Sequence, residues 1–409
     1  MQPENNAGVP WGTLTGIRPA KVAEKLLIKG NNKKSVKDTL IGKYQVTPDR
    51  AALCIETALT TLRIKETLTP KDIALYIGIP FCPTRCAYCS FVSNSVEKSF
   101  DLIGQYVDIL IKEIEVLSEM AEELGLRIIS VYIGGGTPTA LPDQALEKVM
   151  TVLSRSFDFS TLREYTVEAG RPDTITENNL KIMTALGAKR ICINPQSMSA
   201  DILSVIGRKH SPEDIFDAVK KVKQTGVALN MDIIAGLPYD TLDGFRRTLD
   251  TVLDFSPENI TVHTLSLKKG SRLMLEKTDA PKGEKVNITQ PAEPLEALCG
   301  NVGEMLEYAS IRLREHTFSP YYVYRQKYIS GGFENTGWCQ PGHEGIYNIC
   351  MMEELCSVFA AGGGGVTKIV TKDGRIERVF NAKYPLEYIK MTDKMKENVG
   401  RVREYAVSI

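Results

Sequence analysis

The sequence predicts an α/β protein built around an incomplete (β/α)6 barrel, and three observations carry that expectation. Short β-branched runs alternate with amphipathic helical stretches from Ile73 to Ser266, the pattern of βα units with a parallel sheet. The strand candidates number six, which suits a barrel that does not close; a doubly wound open sheet is the alternative. Every polar or glycine-rich signature sits at the C-terminal end of a candidate strand, where both folds meet their ligands.

Residues 1–70 read as a helical accessory segment, with Trp11 to Pro19 at its front and a helix over Thr47–Thr67. The barrel is expected over 71–275. Its strands are Ile73–Pro80, Ile128–Ile133, Glu164–Glu168, Arg190–Pro195, Ala228–Ala235 and Asn259–Ser266. The intervening helices are Phe100–Glu123, Asp143–Ser156, Thr176–Leu186, Ser211–Thr225 and Leu242–Phe255, and Ser211-Pro212-Glu213-Asp214 carries helix-start chemistry. Past Lys268 the pattern changes. Thr278–Pro294 is a polar linker, Leu295–His316 a helix, and Pro320–Gly345 an aromatic and glycine-rich stretch. The apolar run Ile346–Ala361 then ends in Gly362–Gly365, a loop over a ligand or a flexible turn. Residues 280–409 are expected to form a smaller α+β domain covering the barrel mouth.

Composition narrows the class. Of 409 residues, 43% are hydrophobic and 24% charged, an ordinary globular balance. Lys plus Arg and Asp plus Glu are 50 each, which argues neither for nor against nucleic acid, so any anion recognition must be local; no nucleic-acid partner is expected. No apolar run has the length of a membrane span. Met1–Pro10 lacks an apolar signal core, which points away from secretion. Nine cysteines, three in one loop, make no disulfide framework, and a reducing cytoplasmic compartment is expected.

That loop, Cys82-Pro83-Thr84-Arg85-Cys86-Ala87-Tyr88-Cys89, follows the first strand. Iron–sulfur clusters are normally held by four thiolates, so three leave one iron open. Zinc is the rival, but structural zinc sites are closed and usually built from two Cys-x2-4-Cys halves. Here no second half exists: the nearest His is His210, and position 91 is Phe. Gly134-Gly135-Gly136-Thr137-Pro138 ends the second strand and lets a ligand approach the backbone, with N–H groups available to an anion. By itself it reads equally well as a tight turn.

Together these motifs resemble the radical S-adenosylmethionine enzymes, and among them oxygen-independent coproporphyrinogen III dehydrogenase and its relatives. The matching residues are Tyr76 to Cys89, Gly134 to Thr139, Thr166-Val167-Glu168-Ala169, Pro195-Gln196-Ser197, Ile206 to His210, and Met231 to Pro238. Thr15 to Pro19 and Tyr321 to Lys327 resemble a variant branch of that family.

The resemblance implies a [4Fe–4S] cluster on Cys82, Cys86 and Cys89, with S-adenosylmethionine on its free iron. Gly135, Gly136 and Thr137 then match the loop at the methionine amino group. Glu168 and Arg208 match residues binding the methionine portion, Gln196 and Asp232 the ribose contacts, Tyr76 the aromatic beside the sulfonium, and Tyr88 the aromatic bordering adenine. A zwitterionic methionine needs both charge signs and a ribose diol needs an amide or carboxylate, which these residue types supply. Solvated strand ends are the plainer reading of Glu168 and Asp232.

The implied reaction is oxidative decarboxylation of coproporphyrinogen III propionates to the vinyls of protoporphyrinogen IX. An electron donor such as flavodoxin or ferredoxin is implied with it. Haem chaperones share the barrel but carry a His-Asn-Pro motif in their tail that is absent here; another tetrapyrrole-modifying radical enzyme is the further alternative. Position 78 is Gly where the dehydrogenases carry His, and position 91 is Phe where they carry a fourth, non-ligating Cys. Lys268, Lys269 and Arg325 are candidates for substrate carboxylates, with Arg272 and Lys327 nearby; a solvated basic turn is the alternative for the first pair. Cys54, Cys192, Cys299, Cys350 and Cys356 read as small core residues, and Cys339 as a thiol in a polar loop that could react.

Overall fold

A computed structural model describes residues 10–89, 94–266, 301–325 and 332–407. The six expected strands form, as β1 (Asp72–Ile79), β4 (Arg127–Gly135), β5 (Glu164–Glu168), β6 (Arg190–Gln196), β7 (Ala228–Ala235) and β8 (Asn259–Thr264). They pair in parallel in chain order. The short β2 (Phe81–Cys82) and β3 (Asn94–Ser95) pair with each other beside the cysteine loop.

Helices α4 (Val96–Glu123), α5 (Asp143–Ser156), α6 (Glu177–Ala185), α7 (Ala200–Val205), α8 (Pro212–Lys223) and α9 (Leu242–Asp254) connect the strands. The start of α8 shows how local chemistry sets a boundary. Asp214 N–H donates to Ser211 Oγ, the Asp214 carboxylate accepts from Ser211 N–H, and Pro212 occupies the first turn. The strand residues Ile73, Leu75, Ile77 and Ile79 alternate into the main core, while Ala74 and Tyr76 face the other way.

The C-terminal region extends the same sheet at both ends instead of building one of its own. After α10 (Val302–Glu315) come β9 (Ser319–Arg325) and β10 (Glu334–Cys339), and β10 runs antiparallel to β8. The apolar run 346–361 splits into α11 (Ile346–Glu353) and β11 (Ser357–Gly362), and β11 pairs in parallel with β1. Two further strands, β12 (Val366–Val370) and β13 (Ile376–Phe380), complete an eleven-stranded sheet ordered β13-β12-β11-β1-β4-β5-β6-β7-β8-β10-β9. Helices α12 (Pro385–Ile389) and α13 (Thr392–Ala406) end the chain. Ile346, Tyr347 and Cys350 of α11 pack with Ala74, Ile129 and Val358 in a cluster separate from the main core. The glycines 362–365 form the tight turn into β12, where Gly365 N–H donates to Gly362 O at 3.1 Å.

The N-terminal helices α1 (Ala20–Ile28), α2 (Lys33–Gly42) and α3 (Pro48–Lys65) lie against this C-terminal edge. Trp11 Nε1 donates to Glu334 Oε2 at 2.7 Å, and Arg50 pairs with Glu334 Oε1 at 3.0 Å. Cys339 is not in a polar loop. It ends β10 at 2% exposure, and burial pushes its thiol up to about 12. Among the described residues no helix is long and apolar enough to cross a membrane.

Candidate active site

One cavity of about 350 Å³ runs from the cysteine loop into the barrel, within the range of small-molecule sites. Cys82, Cys86 and Cys89 all line it, as do Tyr88, Gly135, Gly136, Thr137, Glu168, Gln196, Arg208 and Asp232. The tertiary fold thus brings together residues from six separate segments. Among the described residues no three His, Cys, Asp or Glu side chains converge on a single ion. A four-iron cluster takes each thiolate on a separate iron, so it does not need such convergence.

The cysteine loop is held on several sides. Ala87 N–H donates to Ile206 O at 2.9 Å, tying the loop to the end of α7. Gly136 N–H donates to Ile79 O at 2.8 Å and Thr137 N–H to Phe81 O at 2.7 Å. A Cβ at Gly136 would lie 2.5 Å from Phe81 O, so only glycine allows this approach. These bonds revise the expectation for the glycine loop. Its Gly136 and Thr137 N–H groups are spent on Ile79 O at the end of β1 and on Phe81 O of β2, just ahead of the first cysteine, and Gly135 N–H bonds Glu168. They are not available to an anion.

Arg208, at the end of the segment after β6, is buried. Its Nη1 donates to the carbonyls of Asn194 and of Gly170, the latter at 3.3 Å, and Nη2 donates to Tyr88 Oη at 3.2 Å. Its Nε has no partner. Arg171, which the sequence reading passed over, is equally enclosed and donates from Nη1 to Thr84 Oγ1 at 2.9 Å. Burial raises the Cys86 thiol, but the Arg208 and Arg171 guanidiniums outweigh it and hold the thiol below its usual range.

Glu168 ends β5 and accepts a hydrogen bond from the Tyr132 hydroxyl. Burial, with the charge of Asp232, pushes Glu168 up to about 7, against the hydrogen bonds of Tyr132 and Gly135 and the charge of His263. Asp232 accepts from Asn230 Nδ2 at 2.9 Å and lies 3.6 Å from His263 Nε2. Gln196 stands in left-handed backbone, φ +68°, and its Oε1 is buried with no partner, as is Asn194 Oδ1.

Two expected residues stand elsewhere than on the cavity wall. Tyr76 lies just behind it, its hydroxyl 3.2 Å from where a Cβ on the wall residue Gly135 would sit. It pairs in register with Tyr132 on the adjacent strand and stacks with Tyr132 and Tyr347, and Tyr132 takes the wall position. Arg325 is not a pocket residue either. Its Nη1 donates to Leu14 O at 2.7 Å, its Nε to Gly332 O at 3.2 Å, and it lies over the Trp11 ring. From Tyr322 onward the strand alternates, so Tyr322 and Tyr324 stack and line the cavity while Arg325 falls on the other face of β9; Tyr321 also lines the cavity, at an irregularity in the pairing with β10. Lys268, Lys269, Arg272, Lys327, Phe91 and Cys299 lie outside the described residues.

Beside Arg171 and Tyr132, the sequence reading missed Asn194, His263 and the buried pair Arg190–Glu164, 2.7 Å apart at the far end of the cavity. Each lies on an expected strand or just after one. Their inward direction was readable from alternation once a strand's register was fixed.

The donor set fits the cofactor pair the resemblance implies. Three thiols suit a cluster, Glu168 suits an ammonium, and the unpartnered Arg208 Nε suits a carboxylate. The unpartnered Gln196 Oε1 and Asn194 Oδ1 suit hydroxyl or amine donors.

Comparison with known proteins agrees. A family model described as the radical SAM superfamily matches residues 76–252. The chain is 37% identical over 383 residues to "Oxygen-independent coproporphyrinogen-III oxidase-like protein HemZ" of Bacillus subtilis, covering 92% of this chain and 74% of that one. It is 30% identical over 214 residues to "Heme chaperone HemW" of Buchnera aphidicola, covering 52% and 56%. The solved structure of coproporphyrinogen III oxidase (HemN) from Escherichia coli superposes with a TM-score of 0.59 at 19% identity, covering 84% of this chain and 72% of that one. That last likeness shows a shared fold.

Proposed function

The chain belongs to the radical SAM superfamily, among its coproporphyrinogen oxidase-like proteins, and on that premise we propose that it oxidatively decarboxylates coproporphyrinogen III propionates. Its cofactors are a [4Fe–4S] cluster and S-adenosylmethionine. When bound, they supply one-electron chemistry that ends in abstraction of a substrate hydrogen.

The chain's own residues bind, orient and enclose. Cys82, Cys86 and Cys89 would hold the cluster, with no fourth thiolate in the loop to close it. Glu168 would accept the methionine ammonium, and Arg208 Nε would donate to its carboxylate. Gln196 and Asp232 would take the ribose hydroxyls, and Tyr88 would border the adenine. Tyr322 and Tyr324 offer aromatic faces to a flat macrocycle. An electron donor such as flavodoxin or ferredoxin would reduce the cluster.

The observation that carries this reading is the continuity of the cavity from the cysteine loop to the Tyr322–Tyr324 face. A macrocycle lying on that face would have its edge near the cofactor residues, which supports the reading. The test is anaerobic incubation with coproporphyrinogen III, S-adenosylmethionine and dithionite, read by mass. Loss of two CO2 is expected, and none from Cys86→Ala. A haem complex with no mass change in substrate would overturn the reading in favour of a chaperone, and cofactor cleavage without substrate change in favour of another substrate.

A further inference from the structure

Arg171 stands just after β5, outside every motif above, at 3% exposure. All three of its guanidinium nitrogens are engaged. Nε and Nη2 donate to Asp173 Oδ1 and Oδ2 at 3.1 and 3.2 Å, a two-pronged pair. Nη1 donates to Thr84 Oγ1 at 2.9 Å and to Cys86 Sγ at 3.9 Å. Thr84 and Cys86 both belong to the cysteine loop. The Arg171 backbone is fixed as well: its carbonyl accepts from Thr174 N–H at 3.0 Å and from Thr174 Oγ1 at 2.8 Å. Asp173, the partner of Arg171, also faces His210 Nδ1 at 3.7 Å. A rigid cation therefore points one nitrogen at a cysteine sulfur, with a carboxylate on its far side.

We propose that Arg171 is a positioning residue that holds the cysteine loop and sets the cluster's electron affinity, with Asp173 as its counter-charge. The inference rests on Cys82, Cys86 and Cys89 being the cluster ligands. Reduction adds a negative charge to the cluster, and cluster potentials respond to nearby charge and to hydrogen bonds on the sulfurs. A buried, ion-paired guanidinium is screened far less than a surface one, so its effect is felt at this range. Arg171 favours the reduced state and Asp173 opposes it.

The two partners therefore act with opposite sign, which general loosening of the loop does not reproduce. The experiment is anaerobic reconstitution of wild type, R171Q, R171K and D173N, followed by redox titration monitored by electron paramagnetic resonance, without S-adenosylmethionine or substrate. R171Q should move the midpoint to more negative potential, by about 59 mV for a tenfold change in a one-electron equilibrium. D173N should move it the other way. R171K keeps the charge without the two-pronged geometry, so it should stay nearer wild type in potential while losing its cluster faster.

Should R171Q fail to hold a cluster, D173N and R171K decide the matter: an unshifted D173N overturns the proposal. So do shifts of R171Q and D173N in the same direction. Absence of iron and sulfide from the reconstituted wild type would instead overturn the ligand assignment itself.

Discussion

Glu168 occupies the space into which a Cβ on Gly134 would project, its Oε2 2.9 Å from that point. The Tyr132 ring lies equally close. The glycine that opens the loop is thus what lets a buried carboxyl reach the strand ends. Gly134→Ala should displace Glu168 and Tyr132 together and weaken S-adenosylmethionine binding by about 1.5–3 kcal/mol, the range for hydrogen bonds to charged groups. Calorimetry on the reconstituted protein checks this; unchanged affinity would remove Glu168 from the cofactor site.

The raised Glu168 makes binding depend on pH. Its ordinary value is 4.5, and burial, first among the causes, moves it to about 7. Between those values the folded protein keeps a proton that the unfolded chain has released. This group's contribution to stability is therefore lost as pH rises through about 7. Glu168→Gln has no such proton, so its melting temperature should gain on wild type between pH 5 and pH 8. An ammonium ligand prefers the ionised carboxylate, so wild-type affinity should rise across the same interval while the Gln variant stays flat. Parallel pH profiles for the two proteins would refute the assignment.

Gly78 stands where the related dehydrogenases carry His, and the fold gives a reason. A Cβ there would lie 2.7 Å from Gly363 O, because β11 pairs against β1 up to Gly362. The Tyr106 hydroxyl donates to Gly78 O and accepts from Gly363 N–H, each at 2.6 Å, and locks that approach. Gly78→His should destabilise the protein by about 1–3 kcal/mol, the usual cost of overpacking. Thermal unfolding tests it, and an unchanged melting temperature would show that the strand end yields readily.

Arg325→Ala should act on stability and leave the tetrapyrrole KM alone. The substitution removes two hydrogen bonds from a charged group to backbone carbonyls, at Leu14 and Gly332. The expected loss is about 1.5–3 kcal/mol, read by denaturant unfolding alongside steady-state kinetics. A raised KM at unchanged stability would return Arg325 to the substrate site.

The six parallel strands and their helices were legible in the sequence because each is a local pattern. Ile73, Leu75, Ile77 and Ile79 alternate into the core, and Ser211 and Asp214 cap α8 without help from distant residues. The assembly of the C-terminal third was not legible. The run 346–361 gave one apolar stretch, and only the pairing of Ser357–Gly362 with Ile73–Gly78 made its second half a strand. Cys339 looked loop-bound for the same reason, since β10 exists through its bonds to β8 and β9.

The sequence by itself determined the chemistry. Three thiols at close spacing, a glycine loop, a carboxylate and an amide at successive strand ends, and a guanidinium in the segment that follows them are covalent facts of order and type, and parallel βα winding carries them to one face. The tertiary structure decided direction and partnership. It turned Arg325 away and Tyr132 inward, spent the glycine-loop N–H groups on Ile79, Phe81 and Glu168, and set Arg171 against Cys86. Local sequence specifies which groups a strand presents. Which neighbour each group meets depends on register and on segments far along the chain, whose contacts form only when the sheet is assembled.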